Sequence, residues 1–545
     1  MGPTTGRALA MNAAEVITEY LSAAGIGHVF GYPGDPNVEF LEVARKHGLE
    51  FVLARREGTA GLMAEAYGQL TGRPGVCLST LGPGSSNLVN AVANAYLDRA
   101  PMLAISGQIE GRREATFTHQ VLDHNRLFSP ITKWTATVRA DNVGAVLRRA
   151  LRTALAERPG PVHLTVPADV VGAEAVDCEI RLPPMAPVFG PVEVFAAPGA
   201  LADPVKRLKR ARKPVIVAGI SAVRAGATQT LAALADEAGI PVVVAPMAKG
   251  VMPEDHAYYA GTLDMACSAY VWEFLKACDL ILCVGFDAVE LIKPWTPAAP
   301  VIHVDSTPNT DQVYAAEIEV VGSIPQILEA FRQSANGRPK WSRARVEAHR
   351  EGLRKLYYAG RVAGALNPTD VIDVVRAAMP AEAVVTADVG SHKLLVGQGW
   401  TAYGPRTVLM TNGLSSMGYA LPAAITAKLL LGATPVVCFT GDGGLAMVQG
   451  ELRLAASLGL ALVVVVFRDD SLNRIELKQM ARQYPSFGTR FDATDTEALA
   501  RSMGCDGVEV DDVRGLEAAL CVPRASDRPL VIGAKIDPAQ YAAQF

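Results

Sequence analysis

A chain of 545 residues is too long for a single core and sets an expectation of about three domains. Half of it is hydrophobic and 19% is charged, so each domain has material for a sizeable core. A net charge of −4 lacks the electrostatic footprint of a nucleic-acid binder, and no basic run suggests an anionic membrane surface.

In chain order, residues 13–24, 58–71 and 87–97 read as helices, and 75–79, 102–106 and 162–166 as strands. Residues 181–200 then carry Pro183, Pro184, Pro187, Pro191 and Pro198, the composition of a surface-draped linker. Strands at 215–218, 242–245, 280–284 and 301–304 follow, with a helix at 228–238. Residues 332–367 are rich in charge and read as a second connection with a helix inside it. Beyond it come strands at 383–386, 436–440, 462–467 and 530–536, with helices at 368–379 and 450–457. This alternation predicts an α/β protein of three doubly wound parallel-sheet domains, 11–180, 190–335 and 360–545. The first and last segments suit one fold used twice. Eight scattered cysteines, including Cys178, form no CxxC pair and read as buried thiols in a reducing compartment. No signal pattern opens residues 1–11, and the apolar run 458–467 is short of a bilayer span. A cytoplasmic, membrane-free protein is expected.

The most informative stretch is the last third. The strand at 435–440 runs into Gly441-Asp442-Gly443-Gly444, with a helix expected from about Gln449. Glycines at a strand-to-helix turn let backbone N–H groups approach phosphate oxygens, and the helix dipole favours the same anion. Asp442 offers a hard carboxylate to a divalent cation. The strand at 462–467 ends in Arg468-Asp469-Asp470-Ser471, 27 residues after Asp442 at Asp469. Two parallel strands joined through a helix bring both carboxylates to one sheet edge. One Mg²⁺ would then bridge Asp442, Asp469, a backbone carbonyl near Ser471 and a diphosphate.

At this point the chain resembles a known family. Gly441-Asp442-Gly443 with its downstream acidic pair is similar to the thiamine-diphosphate motif of acetolactate synthases, benzoylformate decarboxylases and their relatives. The usual pair is Asn-Asn. Spacing favours Asp469 as the ligand, with Asp470 second. The resemblance extends over about 450 residues in the right order. It includes Gly31-Tyr32-Pro33-Gly34, Arg55-Arg56-Glu57-Gly58 with Ala64-Glu65-Ala66-Tyr67-Gly68, and the Gly-rich turn 81–87. Gln120 and Thr132-Lys133-Trp134 look like acetolactate synthase, and Asp388-Val389-Gly390-Ser391-His392 and 413–418 look like the cofactor loops.

The resemblance implies a thiamine-diphosphate- and Mg²⁺-dependent enzyme that decarboxylates a small 2-oxo acid through ylide and enamine intermediates, with carboligation. It assigns Glu57 to activating the cofactor and Gln120 to catalysis. Cofactor contacts fall on Pro33, Gly34, Gly390, Ser391, His392, Ser415, Met417, Gly441, Gly443, Gly444 and Ile475, and metal contacts on Asp442, Asp469 and Ser471. His119, Lys133 and Arg474 become substrate candidates, Arg474 standing where the family usually has methionine. A homodimer or homotetramer with the active site between chains is implied. Residues 285–290 look flavin-free, so FAD is allowed for but not expected. The alternative is a CoA-thioester enzyme of the oxalyl-CoA decarboxylase or 2-hydroxyacyl-CoA lyase type, and a nicotinamide dehydrogenase fails for want of a strand-linked GxGxxG.

Overall fold

The computed structural model describes residues 11–176, 180, 182, 196–197, 199–335, 339–521 and 527–545. Cys178 and most of the proline-rich stretch 181–200 lie outside them. Three six-stranded sheets, parallel throughout, form the molecule.

The first sheet comprises β1 (His28–Tyr32), β2 (Glu50–Leu53), β3 (Gly75–Ser79), β4 (Met102–Gln108), β5 (Trp134–Thr137) and β6 (Pro161–Pro167) in the order β2-β1-β3-β4-β6-β5. The second has β7 (Pro214–Ala218), β8 (Val242–Val244), β9 (Tyr259–Thr262), β10 (Leu280–Val284), β11 (Val301–Asp305) and β12 (Ile318–Val321), ordered β12-β11-β10-β7-β8-β9. The third has β13 (Val384–Ala387), β14 (Val408–Met410), β15 (Val436–Gly441), β16 (Val463–Arg468), β17 (Asp506–Val510) and β18 (Leu530–Lys535), ordered β14-β13-β15-β16-β18-β17. The first and third sheets therefore share one strand order, as the sequence suggested. The first sheet lies in one compact unit and the other two in a second.

Central strands such as β10 and β16 are largely apolar and buried along their whole length, because helices cover both faces of a parallel sheet. Helices are fixed locally by their caps. Asn12 accepts the Glu15 N–H at 2.9 Å while Glu15 accepts the Asn12 N–H at 2.8 Å, closing a capping box on the helix Ala13–Ala23. The expected helix inside the second connection is Arg343–Tyr357.

Within the second unit, Lys249 and Glu254 form a buried ion pair at 2.7 Å, and Glu254 also accepts the Ala402 N–H at 3.0 Å. This charge pair ties the second sheet's layer to the third's. The helix expected from about Gln449 is Gly450–Ser457, with Gln449 at its N-cap, and a separate short helix, Asp442–Val448, precedes it. Seven strands, β1, β2, β5, β9, β12, β14 and β17, had no counterpart in the sequence reading. No helix among the described residues is long and apolar enough to cross a membrane.

Candidate functional site

Every loop that follows a strand of a parallel sheet leaves at the same edge. In the third sheet the loops after β13, β14, β15 and β16 enclose a cavity of about 320 Å³. Gly390, Ser391 and His392 line it from the first loop, Ser415 and Met417 from the second. Gly441, Asp442, Gly443 and Gly444 enter from the third, and Asp469, Ser471, Arg474 and Ile475 from the fourth. The structure thus brings together the candidates from this part of the chain, except Asp470, the second-choice ligand, which does not line the cavity.

Hydrogen bonds stitch these loops to one another. Asp442 Oδ2 accepts the N–H groups of Asp469 at 3.2 Å and Asp470 at 2.7 Å, while its Oδ1 accepts that of Gly443. The β15 and β16 loops are thereby held together through one carboxylate. Burial, and then the nearby Asp442 charge, push the Asp469 carboxyl up to about 7. Burial also raises Asp442. Among the described residues neither carboxylate meets a lysine or arginine. No group of three His, Cys, Asp or Glu side chains gathers among the described residues. A Mg²⁺ placed between Asp442 and Asp469 would take its remaining positions from backbone and ligand oxygens. The Ser471 hydroxyl is committed to Glu476 at 2.6 Å, leaving its carbonyl as the available donor.

His392 is no surface residue. It stacks on Phe467 with ring centroids 5.3 Å apart, and burial pulls its pKa down to about 3. Its Nε2 is buried and has no hydrogen-bond partner among the described residues. Ser415 has φ 57° and Asp470 φ 52°, left-handed conformations that non-glycine residues adopt at a cost and that turn these loops sharply off their strands.

Three contributors were not identified from sequence. Asp388 is fully buried and accepts N–H groups from Val389 at 2.7 Å and Gly418 at 2.9 Å, plus the Thr440 hydroxyl at 3.1 Å. It therefore ties three of the loops together. Its place at the head of the Asp388–His392 motif was the available signal. Asn473 accepts the Ser391 hydroxyl at 2.8 Å, and Tyr541 lines the cavity from the C-terminal segment.

In the first unit the same edge carries Pro33 and Gly34 after β1, Glu57 after β2, the Gly82 turn after β3 and His119 with Gln120 after β4. Glu57 opens the helix Glu57–Thr71, is 8% exposed, and accepts a hydrogen bond from Asn87 Nδ2 at 3.1 Å. His119 and Gln120 sit on an exposed loop, with Gln120 at φ 61° and its carbonyl packed against Gly82. Lys133 is placed elsewhere. It precedes β5, at the opposite edge, and its ammonium donates to the carbonyls of Ala156 and Arg158. The structure gives it a capping role there, apart from the other site residues.

The strand order of the second sheet reverses between β7 and β10, the crevice where doubly wound folds bind ligands. Here Glu290 Oε2 accepts the N–H groups of Ile220 at 2.9 Å and Asp287 at 3.1 Å. The Glu290 carboxylate thus occupies the N–H groups at this switch point.

Family models match this architecture along its length. The N-terminal TPP binding domain of thiamine pyrophosphate enzymes matches residues 11–127, the central domain 201–331 and the C-terminal TPP binding domain 388–534. An acetolactate synthase of Bacillus subtilis is 29% identical over 542 residues, covering 96% of this chain and 93% of that one. An acetolactate synthase of Mycobacterium bovis is 31% identical over 552 residues, covering 96% and 87%. A Pseudomonas aeruginosa protein named "Probable 2-ketoarginine decarboxylase" is 29% identical over 530 residues, covering 94% and 91%.

Proposed function

The chain belongs to the thiamine pyrophosphate enzymes of the acetolactate synthase type, which act on 2-oxo acids, and from that premise we propose a specific reaction. The enzyme decarboxylates a 2-oxo acid and joins the remaining fragment to a second carbonyl. The observation that carries this reading is the third-sheet cavity. Among the described residues its two carboxylates meet no cation and His392 Nε2 has no hydrogen-bond partner, and all three line it beside a glycine-rich helix start.

These residues fit thiamine diphosphate with Mg²⁺. Asp442, Asp469 and the Ser471 carbonyl would hold the cation. The N–H groups of Gly443 and Gly444, with Ser391 and His392, would meet the diphosphate. Met417 and Ile475 offer apolar surface to the rings, and the Ser415 carbonyl an acceptor for an amino group. Bound there, the cofactor would supply a nucleophilic carbon and an electron sink for the departing CO₂. Glu57 would hold a proton at the pyrimidine nitrogen, a task suited to a buried carboxyl at a helix start. Gln120, with His119, would face the substrate from its exposed loop.

Glu57 belongs to the first sheet and the metal carboxylates to the third. The reading completes the site by pairing Glu57 of one chain with the cavity of a second copy. Supplying the protein with thiamine diphosphate and Mg²⁺ and following CO₂ and products from pyruvate, 2-oxobutyrate, benzoylformate and glyoxylate tests the reaction. A 2-hydroxy-3-oxo acid product, dependent on both cofactors, is the expected result. CO₂ from none of the free acids, with turnover of oxalyl-CoA instead, would overturn it.

A further inference from the structure

Two cationic side chains line the third-sheet cavity, and they are treated differently. Lys393 is buried, with its ammonium donating to the Thr411 carbonyl and lying 3.4 Å from Asn412 Oδ1. Arg474 has neither a hydrogen bond nor an ion pair among the described residues. The contact it does make is with the ring of Phe545, whose centroid lies 4.4 Å from the guanidinium carbon. Phe545 in turn stacks on Tyr541 with centroids 6.0 Å apart, and Tyr541 lines the same cavity.

Apart from the Phe545 ring, the local surroundings act against a cation at this position. Arg474 is the second residue of the helix Asn473–Ala481, where the helix dipole disfavours positive charge. Burial lowers its pKa, with no counter-charge to offset the effect. The acid nearest in sequence, Glu476, is taken by Ser471 and by Arg490 at 2.8 Å. A purely structural side chain in that position would gain by losing its charge. An aromatic ring covers the guanidinium face but uses none of its five N–H donors, which lie in the guanidinium plane. Planar donors left unused at the wall of a cavity suit a carboxylate, which they bind in a two-pronged fashion.

We propose that Arg474, backed by Phe545, binds a second anionic group of the substrate. The 2-oxo acid handled here then carries a carboxylate at the end remote from its keto carbon. This rests on the 2-oxo acid reading above and specifies its substrate class.

The test compares chain-matched acids on the enzyme loaded with thiamine diphosphate and Mg²⁺: 2-oxoglutarate against 2-oxopentanoate, and 2-oxoadipate against 2-oxohexanoate. The wild type should favour a diacid by at least about tenfold in kcat/KM. In Arg474→Met that preference should fall about 10- to 100-fold, chiefly through KM, and Arg474→Lys should restore part of it. Calorimetry on protein carrying a thiamine diphosphate analogue that cannot lose its C2 proton should show the same loss of diacid affinity. A merely structural or cofactor-holding arginine would lower both acids together and leave the preference unchanged, which overturns the proposal. So does turnover of the monoacids without diacid preference in the wild type, while the 2-oxo acid reading survives. Turnover of neither kind, with cofactor demonstrably bound, overturns that reading and this inference together.

Discussion

The first and third sheets have the same strand order and present corresponding loops at the same edge, yet those loops carry different chemistry. After the third strand, one runs through Gly82-Pro83-Gly84 and the other through Gly441-Asp442-Gly443. After the fourth strand, one gives the exposed loop with Gln120 and the other Asp469. After the second strand, one gives Glu57 and the other Ser415. The fold fixes where loops emerge, and a few residues decide what each loop presents. On the proposed function, the third sheet's loops would meet the cofactor's phosphates and metal, and Glu57 of the first sheet would meet its pyrimidine ring.

The strongest way to break this comparison is to damage one half at a time. Glu57→Gln and Asp442→Asn should each lower activity about 100-fold or more, the first through turnover and the second through cofactor binding. Co-expressed, the two inactive chains should form hybrids in which one site keeps both Glu57 and Asp442. For a two-fold dimer assembled at random this returns about a quarter of wild-type activity. No recovery would place both halves of the site within one chain.

A smaller effect sharpens the same comparison. Gly84 and Gly444 follow the third strand of their sheets, and each abuts a carboxylate. A Cβ on Gly84 would lie 2.7 Å from Thr80 Cγ2 and 3.1 Å from Glu57 Oε1, and one on Gly444 2.6 Å from Asp388 Oδ2. Gly84→Ala should displace Glu57 and lower kcat, whereas Gly444→Ala should disturb the loops that Asp388 gathers and raise the cofactor's half-saturation. Overpacking of this kind typically costs about 1–3 kcal/mol, roughly 5- to 150-fold in either measurement. The same kinetic signature from both variants would mean the two sheets do not divide the work.

The fold was legible in the sequence where strands are flanked on both sides. All eleven strands read from apolar runs are interior ones, and all six edge strands, β2, β5, β9, β12, β14 and β17, escaped. An edge strand has one neighbour and a more open face, so its pattern is mixed, as in β17 with the residues Asp506-Gly-Val-Glu-Val510. The interior strand β1 was hidden by His28 and Gly31. One miss propagated to the site. Without β5, nothing in the sequence showed that Lys133 precedes a strand and so lies at the edge away from the loops. The third-sheet cavity was readable because glycines and paired carboxylates at strand ends announce phosphate and metal chemistry. Asp388, Asn473 and Tyr541 act by holding other residues or closing a wall, and such roles have no composition signal.

Acid should separate the two scaffolds by the smallest margin. In the first, His163 lies in a polar line across the core, its Nε2 2.9 Å from the Ser106 hydroxyl and that hydroxyl 2.8 Å from Ser79. Burial holds His163 well below the usual histidine range and takes neighbouring His124 down to about 4. Below pH 6.5 the unfolded chain takes protons that the folded one refuses, so stability falls as pH drops. At pH 5 His124 alone accounts for about 2 kcal/mol. In the third scaffold His392 acts in the same direction, but Asp388, raised by burial to about 6, acts in the other. A folded-state carboxyl pKa raised in this way penalises the native state at neutral pH and relieves that penalty as pH falls. Amide exchange on cofactor-free protein between pH 7 and 5 should therefore loosen β3, β4 and β6 more than β15, β16 and β18, and His124→Leu should narrow the gap. Equal loosening of both sets would show that the buried histidines of the first sheet do not set its acid limit.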